Sequence, residues 1–294
     1  MDLNSFTFEA TGTVWQIDIY DPVSKKIKAK ISDLVKSEAD NFEKKYSRFR
    51  DDSWLRKISR LRQKSKLPKD AKDIFDLYQN LYKITNGIFT PLIGDLMEES
   101  GYGSDYSFIP KISLHHPPTW ENALEYNYPY IQIKQNVVID FGAAGKGYLI
   151  DIIKNLLKDN QINSFCIDAG GDIYVNNYPK GRMQIGLENP KNLSEVIGII
   201  YLNNASICAS SGNRRRWDKF HHIINPQTLS SPTDIIATWT IAQSALIADT
   251  MSTCLFLVDK SILQNAYNFD YLILKKDFSF EKSSGFEAEL FLKN

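Results

Sequence analysis

The order in which strand-like and helix-like segments follow one another constrains the fold of this chain more than any other feature. Residues 6–20 alternate apolar and polar side chains, which predicts an opening hairpin or a bulged strand. Apolar residues then recur at helical spacing through residues 23–42 and again through residues 74–84. The second of these patterns ends at Asn86 and Gly87, a pair suited to a left-handed helix cap.

The later segments are short and again of both kinds. They comprise a long irregular stretch at 98–129, a strand pair at 130–140, a helix at 147–157, several short strands up to about residue 209, a strand at 235–243, a helix at 244–258 and a strand at 271–274. Because strands and helices do not alternate regularly, the sequence predicts an α+β fold and not a parallel βαβ architecture. A length of 294 residues allows either two domains or one large domain.

The charge balance argues against several classes of partner. Lys and Arg number 35 and Asp and Glu number 35, so the net charge is 0 and no global basic field favours nucleic acid or an anionic membrane. No apolar stretch reaches the roughly 18 residues that span a bilayer. The start of the chain lacks a secretory signal pattern, and Cys166, Cys208 and Cys254 are far apart in apolar surroundings. We therefore expect buried thiols and a cytoplasmic protein.

A strand exit, a turn of small residues and a helix start coincide at residues 140–148, which read D-F-G-A-A-G-K-G-Y. Backbone N–H groups and the positive end of a helix dipole would meet there, and a phosphate could approach closely. The run fits neither the P-loop pattern, which needs Gly in place of Asp140 and Ser or Thr in place of Gly147, nor the dinucleotide G-x-G-x-x-G pattern. A tight turn with a solvated Lys146 is the alternative interpretation.

A carboxylate and a hydroxyl share one face of a later predicted helix. Asp249 and Thr253 lie four residues apart, and such oxygen ligands are suited to Mg²⁺. Alternatively, Ser244 caps this helix and Asp249 is only an acidic residue that the helix dipole favours in the early turns. On local grounds both interpretations stay open.

A third polar segment combines Arg214, Arg215 and Arg216 with His221 and His222. Arginine donors and a histidine that titrates near neutrality suit a diphosphate, whereas a solvated basic turn is the alternative. The four histidines form two adjacent pairs without H-E-x-x-H spacing, which argues against a zinc hydrolase. The G-x-S-x-G pattern of a serine nucleophile is also absent from the sequence.

Taken in order, these segments and several others resemble the sequence blocks of the ApbE family, the FAD:protein FMN transferases. The matching segments are 11–15, 46–55, 87–94, 101–103, 140–151, 168–172, 222–228 and 244–255. The resemblance covers nearly the whole chain. It implies an α+β fold related to the T-fold, with mixed sheets, packed helices and an active site in a cleft between two lobes, built as a single domain over residues 1–294.

The resemblance further implies a Mg²⁺-dependent transferase that cleaves FAD, releases AMP and joins the FMN phosphate to a Thr or Ser hydroxyl of an acceptor protein carrying D-x-x-[ST]-G-A-[ST]. Asp249, Thr253 and the backbone carbonyl of Ala143 would hold the metal, and His222 or Asp249 would help to remove the acceptor proton. The positions expected at the flavin nucleotide are Thr11, Phe49, Ile88, Phe89, Thr90, Asp140, Lys146, Ile223 and Ile224. Hydrolysis of FAD to FMN and AMP, or FAD binding without catalysis, are the alternative functions.

Overall fold

A computed structural model describes residues 4–292, and its main helices occupy the segments with helical periodicity. The α-helices are α1 Lys25–Tyr46, α2 Trp54–Ile58, α3 Lys72–Ile84, α4 Gly94–Glu99, α5 Trp120–Ala123, α6 Gly145–Asp159, α7 Ala245–Cys254 and α8 Lys260–Gln264. Short 3₁₀ turns at Lys69–Ala71 and Pro91–Ile93 precede α3 and α4. The four helices predicted from the sequence are confirmed as α1, α3, α6 and α7.

The described strands form one large sheet and three small ones. They are β1 Asn4–Ala10, β2 Thr13–Ile19, β3 Lys64–Lys66, β4 Leu124–Asn127, β5 Tyr130–Ile133, β6 Phe165–Ala169, β7 Asp172–Asn176, β8 Met183–Asn189, β9 Asn192–Leu202, β10 Ala205–Ser211, β11 Arg216–Trp217, β12 Phe220–His221, β13 Ile235–Ala242, β14 Asp270–Lys275, β15 Phe280–Lys282 and β16 Ala288–Leu290. The large sheet has the order β1-β2-β6-β7-β10-β13-β14-β15, and the small ones are β16-β9-β8, β3-β5-β4 and β11-β12. The pairings along the large sheet are antiparallel, which confirms the α+β class.

Apolar side chains pack on both faces of the large sheet. On one face, α6 and α7 lie against each other and contribute Ile150, Ile153 and Met251 to the main core. On the other face, the sheet β16-β9-β8 contributes Ile185 and Leu187 of β8 to a second core. Alternate residues of β8 therefore point into the second core, and the residues between them point away from it.

Two of the predicted turns form as expected. Thr11 and Gly12, with φ values of 50° and 73°, close the hairpin between β1 and β2. Asn86 and Gly87 follow α3 with φ values of 51° and 78°, and the Gly87 N–H donates to the Tyr82 carbonyl over 2.8 Å. Each turn delivers the residues beside it to the cavity described below.

The strand pair predicted at 130–140 is wrong in its second half, because only its first residues form a strand, β5. Beyond β5, the Val138 N–H donates to the Asp95 carboxylate over 2.8 Å, and the Asp140 N–H donates to the Pro91 carbonyl over 2.7 Å. The 3₁₀ turn before α4 and the first turn of α4 thus satisfy backbone groups that a strand would place in a ladder. This segment is an extended connection that carries Asp140 to the start of α6.

The remaining expectations about the scaffold concern the thiols and the long irregular stretch. Cys166, Cys208 and Cys254 are buried and free, as predicted. The stretch at 98–129 is irregular over most of its length and forms α5 and β4 near its end. Within residues 4–292, no helix is both long and apolar enough to cross a membrane.

Candidate functional site

One large cavity brings the predicted site residues together. Its volume is about 980 Å³, at the upper end of the range found for ligand pockets, as a dinucleotide would require. The predicted residues that line it are Thr11, Phe49, Ile88, Phe89, Thr90, Asp140, Ala143, Lys146, His222, Ile223, Ile224, Asp249 and Thr253. These residues come from widely separated parts of the chain, whereas Arg216 and His221 of the predicted basic segment do not line the cavity.

A close contact between the starts of α6 and α7 fixes the position of Asp249. The Gly147 N–H donates to Asp249 Oδ2 over 2.8 Å, and not to the Ala143 carbonyl four residues earlier. A Cβ at Gly147 would lie 2.1 Å from the Ala245 carbonyl oxygen, so only glycine allows the two helices to approach this closely. Within residues 4–292, no backbone N–H donates to the Ala143 carbonyl, which lies two residues before the start of α6.

Lys146 lies between two buried carboxylates, Asp172 and Asp249. Its Nζ is 3.2 Å from Asp249 Oδ1 and makes a shorter contact with Asp172 Oδ2. Burial raises the pKa of Asp249 to about 6, an effect that Lys146 opposes and Asp172 reinforces. Burial lowers the pKa of Lys146, but the two carboxylates outweigh burial and raise it overall, so the lysine stays charged. Two carboxylates share one ammonium, and the excess negative charge is costly in a buried site unless another cation compensates it.

The residues predicted as metal ligands fit a hard divalent cation. Thr253 follows Asp249 by about one helical turn, and both line the cavity with Ala143. Thr253 Oγ1 is held 3.1 Å from Ser210 Oγ, which is itself 2.7 Å from Ser252 Oγ. A carboxylate, a hydroxyl and a carbonyl are the oxygen ligands that Mg²⁺ takes. With the excess negative charge described above, this set is suited to Mg²⁺.

The two adjacent histidines have different surroundings. The His221 Nε2 bonds the Pro232 carbonyl over 2.9 Å, whereas the His222 Nδ1 is buried and has no partner within residues 4–292. Burial lowers the pKa of His222 to about 3, and the positive charges of Arg215 and Lys146 favour the neutral ring further. The ring is therefore neutral at pH 7, and its Nδ1 faces the cavity wall as a hydrogen-bonding group for a bound hydroxyl.

Arg48 is a site residue that the sequence analysis missed. The side chain is buried, and its Nε and Nη2 donate to Asp140 Oδ2 over 2.5 Å and to the Tyr102 carbonyl over 2.8 Å. The guanidinium also lies 4.0 Å from the centre of the Phe49 ring. The signal that could have found it is an arginine flanked by Tyr46 and Phe49, because a buried guanidinium needs stacking and an acidic partner.

Several buried polar atoms around the cavity have no partner in the part of the chain that the structure describes. They are Tyr46 Oη, Arg48 Nη1, Tyr78 Oη and His222 Nδ1. Buried polar atoms in native proteins are hydrogen-bonded in the great majority of cases. Four of the eight such atoms within residues 4–292 belong to residues that line this cavity, where a polar ligand would supply partners for them.

The basic turn contributes only partly to the site. Arg214 and Arg215 line the cavity, but Arg216 does not. Arg214 pairs with Glu188 at 2.6 Å, and the Arg215 Nη1 donates to the Tyr102 hydroxyl over 3.1 Å. The turn is exposed, as a solvated basic turn would be, and two of its arginines also line the cavity, as diphosphate-binding residues would. Both interpretations of this turn therefore hold in part.

Comparison with known proteins agrees with the sequence blocks. The chain matches the ApbE family over residues 11–270. A protein of Buchnera aphidicola subsp. Schizaphis graminum named FAD:protein FMN transferase is 28% identical over 272 residues, which cover 84% of this chain and 77% of that protein. A Salmonella typhimurium protein of the same name is 21% identical over 84% of this chain and 76% of its own.

Solved structures share the fold. An ApbE protein from Thermotoga maritima superimposes with a TM-score of 0.85 at 22% identity, covering 97% of this chain and 98% of its own. The flavin transferase ApbE from Vibrio cholerae gives a TM-score of 0.76 at 19% identity over 97% and 98% of the two chains. The fold is therefore that of the ApbE flavin transferases. This chain belongs to the ApbE family.

Proposed function

We propose that this protein is a Mg²⁺-dependent FAD:protein FMN transferase, acting as one domain over residues 1–294. The reaction splits the diphosphate of FAD, releases AMP and joins the FMN phosphate to a Thr or Ser hydroxyl of an acceptor protein with the motif D-x-x-[ST]-G-A-[ST]. The observation that carries the proposal is the meeting of Asp249, Thr253, Lys146 and His222 at one cavity of dinucleotide size. Family membership and the names of the curated relatives support it.

The polar and charged residues of the cavity wall have three roles, which are metal binding, charge compensation and proton acceptance. Asp249, Thr253 and the Ala143 carbonyl hold Mg²⁺, which when bound neutralises charge on the diphosphate and on the departing AMP. Lys146 holds a second positive charge within hydrogen-bond reach of Asp249. His222 or Asp249, which both line the cavity, takes the proton of the acceptor hydroxyl as the oxygen bonds to phosphorus.

Aromatic and apolar residues hold the flavin and adenine ends. Phe49, which lies beside the Arg48 guanidinium and is stacked with Tyr106 at 5.5 Å between ring centres, provides the aromatic wall for the isoalloxazine, and Asp140 keeps that guanidinium in place through the 2.5 Å contact. The adenine side is lined by Ile223 and Ile224, both buried in the free protein. The other predicted positions, which complete the pocket, are Thr11, Ile88, Phe89 and Thr90.

Two alternatives use the same cavity. A FAD pyrophosphatase would direct water, and not a protein hydroxyl, at the same phosphorus, and a non-catalytic FAD-binding protein would hold FAD intact. We prefer transfer because the curated relatives carry that name. The cytoplasmic location and the acceptor motif D-x-x-[ST]-G-A-[ST] stay predictions.

A matched pair of variants on α7 tests the metal role. Thr253→Val removes a hydroxyl from the cavity wall, whereas Thr250→Val removes a buried hydroxyl whose Oγ1 bonds the Leu246 carbonyl over 2.6 Å within the helix. We expect Thr253→Val to raise the Mg²⁺ concentration needed for half-maximal AMP release at least tenfold, and Thr250→Val to leave it unchanged. An equal Mg²⁺ requirement in the two variants contradicts the assignment.

The choice between transfer and hydrolysis needs an acceptor. The protein is incubated with FAD and Mg²⁺, with and without a peptide carrying D-x-x-T-G-A-T, and AMP and covalent flavin are measured by mass spectrometry and in-gel fluorescence. Flavin on the peptide Thr, lost in EDTA, supports the transferase. AMP at the same rate without labelled peptide supports the pyrophosphatase, and FAD that stays bound and intact supports the binding protein.

A further inference from the structure

Strand β8 is a free sheet edge beside the reaction site. It is the outer strand of the sheet β16-β9-β8, so only one of its two edges is paired. Within the described residues, no backbone group of residues 183–188 bonds any element other than β9. The backbone groups on the outer edge are therefore available to another chain.

The outer edge of β8 faces the cavity. A strand that presents one face to a cavity lines it with every second residue, as β13 does with Ala237 and Trp239. By contrast, four successive residues of β8, 185–188, line the same cavity. Ile185 and Leu187 point into the second core, and Gly186 and Glu188 point the opposite way. Since residues of both orientations line the cavity, the cavity reaches the backbone edge of β8.

The first five residues of this edge, 183–187, lack the usual protection against pairing. Natural edge strands carry lysine, proline or a bulge that discourages a further strand. Residues 183–187 read M-Q-I-G-L, and the register of the β8–β9 pair shifts only from Leu187 onward. Gln184 and Gly186 are exposed, and Gly186 has no side chain to screen its backbone.

Exposed positive charge lies next to the end of β8. The turn that carries Arg214, Arg215 and Arg216 contacts this end through Asn213, whose Nδ2 donates to the Pro190 carbonyl. Within residues 4–292, only Arg214 among these arginines has a carboxylate partner, Glu188. An acidic residue on a segment beside β8 would complement the other two charges.

Building on the proposed function, we propose that the outer edge of β8 is the docking strand for the acceptor protein, which binds as an extended segment carrying an acidic residue and adds one strand to the sheet β16-β9-β8. Pairing along the edge gives affinity that does not depend on most side chains. It also runs the segment along the wall of the cavity that holds Asp249 and His222, so a hydroxyl on the segment can reach the reacting phosphorus.

Alternate N-methylation of a peptide tests the strand geometry. The probe is a dye-labelled peptide of about eleven residues carrying D-x-x-T-G-A-T, and its binding to the full-length protein loaded with FAD is followed by fluorescence polarisation. In an added strand only alternate residues bond the edge. N-methylation of every second residue, on the nitrogens that face β8, should raise the Kd of the peptide at least twentyfold, since each lost hydrogen bond raises it roughly fivefold. N-methylation of the other alternate residues should change the Kd less than threefold. Equal effects of the two sets, or no binding of the unmodified peptide, overturn the proposal.

A photocrosslink locates the edge. A diazirine residue at one variable position of the same peptide should label residues 183–188. Labelling confined to another outer strand, such as β1 or β15, overturns the assignment to β8. Covalent flavin on the unmodified peptide is scored separately, so a failure of transfer with binding on β8 counts against the proposed function and not against the docking strand.

Discussion

Replacing Gly147 with alanine should break the link between α6 and α7 on which the site depends. The new Cβ would lie 2.1 Å from the Ala245 carbonyl oxygen and 2.6 Å from the Cβ of Asp249. Both neighbours are fixed parts of α7 and cannot rotate away. The two helices must separate, and the bond from the Gly147 N–H to the Asp249 carboxylate must lengthen or break.

The magnitude follows from three contributions to the free energy of unfolding. Overpacking of a buried contact costs about 1–3 kcal/mol. Loss of a hydrogen bond to a charged group costs roughly 1.5–3 kcal/mol more. Alanine regains about 1 kcal/mol over glycine in a helix. Gly147→Ala should therefore lower the free energy of unfolding by roughly 1.5–5 kcal/mol.

Gly145 provides a matched control two residues earlier in the same helix. A Cβ there meets nothing within 4 Å, and its φ is not in the left-handed region. Gly145→Ala should change the stability by less than about 1 kcal/mol, in the stabilising direction. Urea unfolding of the ligand-free proteins, followed by tryptophan fluorescence, measures both. If Gly147→Ala unfolds within about 0.5 kcal/mol of Gly145→Ala, the close approach of α6 and α7 is not what holds Asp249.

Three further predictions concern the buried polar groups of the cavity. Folding lowers the pKa of His222, so its contribution to stability is present above pH 6.5 and is lost as the pH falls towards 3. Between pH 7.5 and pH 5, the free energy of unfolding should fall by about 2 kcal/mol in the unmodified protein, and His222→Asn should not show this loss. Urea titrations of both proteins at the two pH values measure the difference. Arg48→Lys cannot keep the contacts with Asp140 and Phe49 together, so a flavin fluorescence titration should give a Kd for FAD at least tenfold higher, and an unchanged Kd contradicts the role of Arg48. Tyr78→Phe removes an unpartnered hydroxyl, so thermal or urea unfolding of the ligand-free protein should show equal or slightly higher stability, and a loss above about 1 kcal/mol would mean that the hydroxyl has a partner.

Elements whose information is local could be predicted from the sequence. The apolar period of α3 and the Asn86-Gly87 pair after it define a helix and its end without reference to the rest of the chain. The segment at 130–140 could not be predicted in the same way. Its alternation suits a strand, but Asp95 and the Pro91 carbonyl, from a distant part of the chain, take the backbone donors of its second half.

The same distinction separates the predicted site residues from those that were missed. Asp249 and Thr253 could be predicted as a pair because a helical spacing brings them to one face. Arg48 and Asp172 are recognisable only through partners far away in sequence, since Arg48 meets Asp140, and Asp172 meets Lys146. The sequence around a charged residue gives no sign of which distant partner will neutralise it when both are buried.

The structure also changes how the two local interpretations of α7 relate to each other. Ser244 does cap the helix, because its Oγ accepts a hydrogen bond from the Ile247 N–H over 3.3 Å. The same hydroxyl donates to Asp151 of α6 over 2.6 Å, and one turn earlier on α6 the Gly147 N–H holds Asp249. The cap and the carboxylate are therefore two points of one contact between α6 and α7. This contact directs the Asp249 carboxylate at α6 and Lys146. The capping of α7 therefore does not argue against a metal at Asp249. It is part of what would hold that carboxylate in place.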